Sequence, residues 1–300
     1  MDGTYHLAIG QRSYSSWSLR PWLLLERFHL PYRTTHCALY SPDFAQSLAP
    51  FAPAKTVPAL ITPEGVVIGE SLAIAEELAT RHPDLGLWPQ DPKARAAART
   101  VSAEMHSGFV VMRQNCPFNM RFIWQGFEPS EAVLADLERL ETVWAWARSQ
   151  HSAAGPWLFG AYSIADAFYA PMAARLTCYG LKLSPAARDY VSAHLADPAL
   201  RRWRALGLAS EAELSQYEKH LPRAPWPTQS KRPAVARESG PSVNALCPYS
   251  GKPVAWFLDY DGQTYGFCNQ ICRDKTLIDP EAWPAFMDLV AKHQSAAAGA

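Results

Sequence analysis

Short runs of apolar and polar positions through the first 83 residues predict a small α/β unit. An apolar run at 5–9 and an alternating β-branched and aromatic run at 31–38 predict two strands, and the amphipathic stretch of about 18–29 between them predicts a helix. Three more elements complete the unit: a short helix at 41–48, a two-stranded hairpin over 57–68 and a helix at 72–82. The predicted order is βαβαββα, with four strands in one sheet.

Apolar residues recur at helical spacing from residue 93 to residue 207, which predicts an all-helical region. The first helix is expected over about 93–114, with a break at Asn115-Cys116-Pro117, and the second begins at Ser130. Further helices are expected at 164–178 and, on either side of Asp197-Pro198, within 186–207.

Ser163 and Asp166 stand at the spacing of a capping box, in which each side chain accepts a hydrogen bond from the backbone N–H of the other residue. This spacing predicts that the helix at 164–178 is buried and firmly anchored. The role of Asp166 is therefore expected to lie in folding and not in chemistry.

The pattern changes near residue 221, where proline and small polar residues predict a partly extended linker as far as residue 243. Alternation on either side of Asp261-Gly262 predicts a hairpin, and a last helix is expected over about 280–292. The pattern thus divides the chain into four parts, which are residues 1–83, 90–220, 221–243 and 244–293.

Composition excludes several classes of function. The chain is 48% hydrophobic and 19% charged, and its 28 basic residues balance its 28 acidic residues, so nothing points to nucleic acid or an anionic membrane. The chain contains no run of about 18 apolar residues, so no membrane span is predicted. The first residues do not have the pattern of a secretory signal. Six cysteines in 300 residues do not make a disulfide scaffold, which favours a cytoplasmic location.

A serine-rich turn follows the first predicted strand, with four serines between Arg12 and Pro21. It leads into the first helix, and a helix N-terminus offers free N–H donors and a partial positive charge. The turn is therefore suited to binding an anion or to stabilising one that forms there. The alternative is that these serines serve only as caps and turn residues.

Two other segments are expected at the same end of the sheet. Val57-Pro58 begins a strand, and proline at that position indicates either an edge or a cis turn. A cis bond would project the N–H and C=O of Val57 towards an extended peptide, and Glu70-Ser71 opens the next helix with a carboxylate and a hydroxyl. A peptide-like ligand with a free amine and a free carboxylate fits all three segments.

These segments resemble the thioredoxin-like N-terminal domain of glutathione transferases, most closely the zeta-type, maleylacetoacetate isomerase-like branch. The resemblance rests on Arg12-Ser13-Tyr14-Ser15-Ser16-Trp17, Lys55-Thr56-Val57-Pro58-Ala59-Leu60 and Glu70-Ser71-Leu72-Ala73-Ile74. Zeta enzymes have a Ser-Ser-Cys-Ser-Trp run in the first segment, so the hydroxyl pattern remains here and the thiol is absent. The resemblance implies an α/β plus all-α fold, in which a thioredoxin-like glutathione-binding domain, 1–83, precedes a helical-bundle domain, 90–220. It also implies a homodimer.

The resemblance further implies that a serine hydroxyl and the helix N-terminus stabilise the thiolate of bound glutathione, which attacks a small electrophile. Ser13 matches the catalytic serine position of the zeta run and is the first candidate, before Ser16 and Ser15. The implied glutathione contacts are Val57 with Pro58 for the cysteinyl backbone, Glu70 and Ser71 for the γ-glutamyl end, and Lys55 for the glycyl carboxylate.

Zeta enzymes also carry an arginine that binds the substrate carboxylate, farther along the helix at 164–178, near the position of Cys178. Arg175 lies about one turn from that position. We therefore expect Arg175 to be a solvated arginine whose aliphatic part covers apolar surface.

Three cysteines in residues 244–293 form the pattern Cys-x20-Cys-x3-Cys, at Cys247, Cys268 and Cys272. So short a unit rarely builds a sufficient core, and a metal ion is a common remedy. The pattern resembles the TRASH/YHS-type metal-binding modules, small treble-clef-like folds. Thiolates favour Zn²⁺ or Cu(I), and a fourth ligand is left open among His293, Asp274, a water or none. The alternative is a metal-free domain in which the cysteines are small buried residues.

The leading hypothesis is therefore a glutathione S-transferase that adds the glutathione thiol to a small electrophile. A related alternative is a glutathione-dependent cis–trans isomerase of maleyl-type diacids. A different class of function is a non-catalytic thiol-binding scaffold for a metal-sensing or metal-delivering tail.

Overall fold

The computed structural model describes residues 3–227 and 232–298. The chain forms two compact units. The first unit comprises residues 1–195 and 214–226, and the second comprises 196–213 and 227–300. The chain thus leaves the first unit, returns to it for 13 residues and leaves it again.

Residues 5–81 form the predicted βαβαββα arrangement. The four strands form one sheet in the order β2-β1-β3-β4, in which β1 is parallel to β2 and antiparallel to β3. This thioredoxin-like domain consists of β1 (Tyr5–Ile9), α1 (Ser16–Arg27), β2 (Tyr32–His36), α2 (Phe44–Leu48), β3 (Ala59–Ile61), β4 (Val67–Gly69) and α3 (Ser71–Arg81).

Burial explains the position of the serine turn. All five residues of β1 are buried, and nine of the twelve residues of α1 are buried as well. The strand therefore lies inside the fold, and the turn that joins it to α1 is fixed at both ends. Ser15 is the N-cap of α1, and its Oγ accepts a hydrogen bond from the N–H of Ser18 at 3.3 Å.

A helical domain follows, as expected. Its helices are α4 (Pro92–Ser107), α5 (Val110–Asn115), α6 (Glu131–Ser149), α7 (Ile164–Cys178) and α8 (Pro185–Ala196). The prediction of one helix over 93–114 was wrong, because the chain breaks at Gly108 and Phe109. A Cβ at Gly108 would lie 2.8 Å from the carbonyl oxygen of Glu104, and Phe109 has a left-handed φ of 56°.

Helix α7 is the centre of the first unit. It begins and ends at the predicted residues, and 14 of its 15 residues are buried. The capping box is present: the Ser163 side chain binds the backbone of Asp166, and Asp166 Oδ2 accepts from the N–H of Ser163 at 2.9 Å. α7 packs against both α1 and α4, so it joins the thioredoxin-like domain to the helical one.

Residues 214–226 complete the first unit. They contain a 3₁₀ turn, Ser215–Tyr217, and strand β6 (Arg223–Pro225), which pairs antiparallel with β5 (Phe122–Trp124). This pairing was not predicted, because β6 contains a proline and falls where a linker was expected.

The second unit contains the three cysteines. It consists of α9 (Pro198–Ser210), the antiparallel sheet β7 (Ala234–Arg237), β8 (Trp256–Tyr260) and β9 (Gln263–Phe267), and the helices α10 (Gln270–Ile278) and α11 (Pro284–Ala298). Its core includes Leu258, Tyr265, Phe267 and Phe286. The hairpin was predicted, whereas α10 was not, and β7 lies inside the predicted linker. Residues 228–231 of that linker lie outside the described part of the chain.

Within residues 3–227 and 232–298, no helix combines the length and the apolar character that crossing a bilayer requires.

Candidate active site and cysteine cluster

A cavity of about 680 Å³ lies in the first unit, a size typical of small-molecule sites. The serine turn, the loop after β2, the start of β3 and the N-terminus of α3 form one part of its wall. The helical domain and residues 214–226, the returning segment, form the rest. The lining residues are Tyr14, Ser15, Ser16, Trp17, Leu39, Tyr40, Phe44, Thr56, Val57, Pro58, Glu70, Arg113, Pro117, Phe118, Arg175 and Tyr217.

Ser15 faces this cavity, but its hydroxyl already has a structural role. In addition to capping α1, it shares a hydrogen bond of 2.7 Å with the Ser18 hydroxyl, which in turn accepts from the N–H of Gly10 at 3.1 Å. These bonds tie the end of β1 to the first turn of α1. Part of the serine-rich turn therefore does serve as a cap.

Ser16 is the first residue of α1 and also lines the cavity. Its Oγ accepts a hydrogen bond from Nη2 of Arg175 at 3.2 Å, and both residues are buried. Arg175 is fixed by a second bond from its Nε to the carbonyl oxygen of Cys116 at 3.0 Å. The expectation that Arg175 is solvated was wrong, because α7 directs it into the cavity wall.

Ser13 has a different position from the other two serines. It is 1% exposed and is not among the residues that line the cavity. Arg121 donates a hydrogen bond to its Oγ at 3.4 Å, and its carbonyl oxygen accepts from the N–H of Met120. The geometry therefore does not favour Ser13, our first candidate from the sequence.

The segment before β3 reaches the cavity through Thr56, Val57 and Pro58. The Val57–Pro58 peptide bond is cis. Lys55 is exposed and does not line the cavity, so the adjacent Thr56 occupies the place at which a contact from Lys55 was expected.

Glu70 lines the cavity just before α3, with a left-handed φ of 70°. A residue other than glycine is strained in this region, and such strain is concentrated at functional sites. Its carboxylate lies 3.1 Å from Nε2 of His106. Burial lowers the pKa of His106, although Glu70 acts in the opposite direction.

Ser71 follows Glu70 as the first residue of α3, is 1% exposed and, unlike Glu70, is not among the residues that line the cavity. Its Oγ is buried and has no hydrogen-bond partner in the described structure. A buried hydroxyl without a partner is unfavourable. A ligand that accepts its hydrogen bond would remove that penalty.

The charge of the cavity wall is positive. Arg113 and Arg175 both line it, and Glu70 is the one carboxylate among the lining residues described above. Burial and the nearby Arg113 lower the pKa of Arg175 to about 10, so Arg175 remains charged at neutral pH. Behind the wall, Arg20 is buried between the rings of Trp17 and Phe168. This field favours an anionic ligand.

Aromatic rings also line the cavity. The ring centroids of Tyr14 and Tyr217 are 4.6 Å apart, and those of Tyr40 and Tyr217 are 6.3 Å apart. Tyr217 comes from the returning segment and was missed in the sequence, because no local pattern connects residue 217 with the serine turn.

The second unit brings its three cysteines together. The Sγ atoms of Cys247, Cys268 and Cys272 all lie within 4.8 Å of one another. Ser250 Oγ donates to Cys268 Sγ at 3.1 Å. Burial acts to raise the pKa of Cys247, but hydrogen bonds from the backbone of Cys268 and of Tyr249 lower it to about 7. The donor set is that of a thiolate site for a soft or borderline metal ion.

Comparison with known proteins places the first unit in a family. Residues 14–81 match the family model described as glutathione S-transferase, N-terminal domain. A probable maleylacetoacetate isomerase from Caenorhabditis elegans is 41% identical over 97 residues, which are 32% of this chain and 44% of that protein. Maleylacetoacetate isomerase from Rattus norvegicus is 30% identical over 189 residues, which are 58% of this chain and 79% of the relative. The chain therefore spans less than half of the C. elegans protein and about four fifths of the rat protein.

Solved structures share the fold. A glutathione transferase homologue from Burkholderia, with bound glutathione, has a TM-score of 0.51 at 22% identity. The matched region is 69% of this chain and 99% of the homologue. Glutathione transferase Omega 3C from Trametes versicolor has a TM-score of 0.52 at 19% identity. The matched region is 71% of this chain and 91% of that protein. The class is thus a thioredoxin-like domain followed by a helical domain. The chain belongs to the glutathione S-transferase family.

Proposed function

We propose that the protein is a glutathione-dependent enzyme in which the hydroxyl of Ser16 stabilises the thiolate of glutathione for addition to a small electrophile. The observation that carries this proposal is the position of Ser16. It stands at the N-terminus of α1, in the same cavity as Val57 and Glu70. A hydroxyl donor and a helix N-terminus both favour a thiolate over a thiol.

Three features at the cavity or directly next to it support glutathione as the thiol. Glu70 offers a carboxylate for an ammonium group, and Ser71 offers an unpartnered hydroxyl at the N-terminus of α3, a position that favours a carboxylate. Val57 also lines the cavity, just before β3, the strand that pairs with both β1 and β4. The γ-glutamyl end has both an ammonium and a carboxylate group, so we assign it to Glu70 and Ser71 and the cysteinyl backbone to Val57. Thr56 replaces Lys55 in our assignment of the glycyl end.

Ser71→Ala tests this assignment of the γ-glutamyl end. We expect glutathione to bind about tenfold more weakly, because the variant loses a hydrogen bond to a charged group worth about 1.5 kcal/mol. Isothermal titration with glutathione measures the change.

Ser102→Ala is the matched control for Ser71→Ala. Ser102 is also a fully buried serine without a hydrogen-bond partner in the described structure, but it lies inside α4, whereas Ser71 directly follows the cavity-lining Glu70. The affinity of the Ser102→Ala variant for glutathione should equal that of the unaltered protein. Equal affinities of all three proteins would remove Ser71 from the site.

The positive wall favours one alternative, a glutathione-dependent isomerase of maleyl-type diacids. Arg113 and Arg175 would bind the carboxylates of a diacid, and the relatives above are named maleylacetoacetate isomerases. Glutathione would add to the conjugated double bond, allow rotation and then leave. Assay of the cis–trans conversion of a maleyl-type diacid, with and without glutathione, distinguishes isomerisation from stable conjugation.

The cysteine cluster supports a separate proposal, that the second unit binds a metal ion as a TRASH/YHS-like module. Three thiols converge, and donors from Ser250 and Asn269 reach Cys268 Sγ, which suits thiolate ligands. Among the described residues, no fourth histidine, cysteine or carboxylate joins the group. Asp274 contacts Arg273, which makes it a poor candidate for a fourth ligand. Cu(I) or Zn²⁺ with an additional exogenous ligand fits this set.

Cys272→Ser tests the metal site. We expect one bound metal ion per chain in the unaltered protein and less than one tenth of that in the variant, because two thiolates hold an ion far less tightly than three. Elemental analysis after dialysis gives the stoichiometry. Cys37→Ser is the control, since Cys37 is buried in the first unit and is not part of the cluster. A metal-free unaltered protein after loading with Zn²⁺ and Cu(I) would contradict the proposal.

Two further expectations come from the family. We propose that the protein is a homodimer and that it acts in the cytoplasm. Sedimentation equilibrium and localisation of the tagged full chain test them.

A further inference from the structure

The contact between Ser16 and Arg175 carries an inference that rests on the proposed function and extends it. The two residues are 159 positions apart in the chain, yet Nη2 of Arg175 donates to Ser16 Oγ at 3.2 Å in a buried setting. A capping or folding role for Ser16 does not require this bond, because Ser15 already caps α1.

We propose that Arg175 is a positioning residue that acts through Ser16: it orients the serine hydroxyl towards the sulfur of bound glutathione and strengthens it as a donor. A hydroxyl has one proton and two lone pairs. With the guanidinium bound to the oxygen, the proton of Ser16 is left to point elsewhere, and the cavity is the side that Ser16 lines. Hydrogen bonds in such a chain polarise one another, so the Ser16 proton becomes a better donor to a thiolate.

Arg175 is held in place for this role. Its Nε donates to the carbonyl oxygen of Cys116 at 3.0 Å, and its guanidinium lies 5.5 Å from the ring centroid of Phe118. The side chain is 6% exposed. A guanidinium fixed in this way keeps its bond to Ser16 without reorganisation during the reaction, which is what electrostatic stabilisation requires.

The groups that face Arg175 leave its charge uncompensated. They are Arg113 from α5, Cys116 at the end of α5, Tyr179 after α7, and Tyr217 from the returning segment. Burial raises the pKa of Cys116 to about 11 and raises the pKa values of Tyr179 and Tyr217 as well, so all three are neutral at physiological pH. A thiolate next to Ser16 would be the first negative charge in this group.

The experiment measures the pKa of the thiol of enzyme-bound glutathione from the ultraviolet absorbance of the thiolate as pH is varied. Arg175→Met should raise this pKa by about one unit, which means about tenfold less thiolate at a fixed pH below the pKa. Arg175→Lys should give an intermediate value, because it keeps the charge and loses the fixed geometry. In a Ser16→Ala background, Arg175→Met should cause no further shift.

Arg121→Met is the matched control. Arg121 and Ser13 form a second arginine–serine pair in the first unit, in which Nη1 of Arg121 lies 3.4 Å from Ser13 Oγ, but Ser13 does not line the cavity. The thiol pKa in this variant should equal that of the unaltered protein. If Arg175→Met does not fold, Arg175→Lys and Arg175→Gln provide the same comparison, and thermal unfolding identifies the folded variants.

Three results would overturn the inference. An equal shift with and without Ser16 would show that Arg175 acts directly and not through the hydroxyl. An unchanged thiol pKa with a raised KM for the electrophile would show that Arg175 binds the second substrate. Absence of glutathione binding by the unaltered protein would overturn the proposed function together with this inference, so the two failures are distinguishable.

Discussion

Replacing Ser16 by alanine should lower kcat/KM for glutathione addition about 100- to 1000-fold. This is the typical effect of removing one hydrogen-bond donor to a developing or resident negative charge in a catalytic site. The side chain makes no cap bond, since Ser15 is the N-cap of α1, so the fold should be retained. Steady-state turnover of an aromatic chloro-nitro electrophile with glutathione measures the loss.

The controls for Ser16→Ala are the other two serines. Ser13→Ala should keep at least half of the activity, because Ser13 lies outside the cavity lining. Ser15→Ala should act mainly through stability, by about 1 kcal/mol, because it removes the cap of α1. Tyr14→Phe is informative as well, since Tyr14 lines the cavity. A loss in Tyr14→Phe or Ser13→Ala that exceeds the loss in Ser16→Ala would assign thiol activation to a different hydroxyl.

Replacing Asp166 by alanine should reduce the free energy of unfolding by about 3–5 kcal/mol, the effect of breaking a buried, charged hydrogen-bond network. Asp166 is fully buried. Its Oδ1 accepts from the N–H of Leu158 at 3.0 Å and from the hydroxyl of Tyr190 at 2.9 Å, and its Oδ2 accepts from the N–H and the hydroxyl of Ser163. Burial raises the pKa of Asp166, and these four bonds oppose that shift. The variant leaves several buried donors without an acceptor.

Urea denaturation followed by tryptophan fluorescence measures the effect of Asp166→Ala. Asp91→Ala is the matched control, because Asp91 caps α4 with the same chemistry, accepting from the N–H of Ala94 at 2.7 Å, but is exposed. It should reduce the free energy of unfolding by about 1 kcal/mol. Equal losses in the two variants would mean that Asp166 acts as an ordinary cap and not as the centre of a buried network.

Local sequence patterns were sufficient to predict most of the helices and strands. The helix at 164–178 was predicted at its observed bounds because Ser163, Asp166 and an almost wholly apolar sequence are all local signals. The break at Gly108 was missed, since Phe109 and Met112 continue the apolar spacing across it. Helix α10 was missed although it has a local start signal, since the side chain of its N-cap, Asn269, accepts from the N–H of Cys272 at 2.8 Å.

The candidate site was only partly predictable, because its last contacts are not local. The three segments that resemble glutathione transferases do meet at one cavity. The serines differ in contacts from distant parts of the chain, because Arg121 donates to Ser13 and Arg175 donates to Ser16. Arg175 was expected to be solvated, since nothing near it in sequence indicates that the carbonyl of Cys116 accepts its hydrogen bond.

The path of the chain through residues 196–226 restricts how a gene for this protein could gain or lose its C-terminal part. A stop codon after Ser210 would remove Tyr217 from the cavity wall and strand β6 from its pairing with β5. A stop codon after Trp226 would keep both but leave α9 without α10, the helix against which it packs. No single cut therefore yields the first unit alone without a remnant of the second. Removing the second unit alone would take two separate changes in the gene, one that deletes residues 196–213 and one that ends the chain after residue 226.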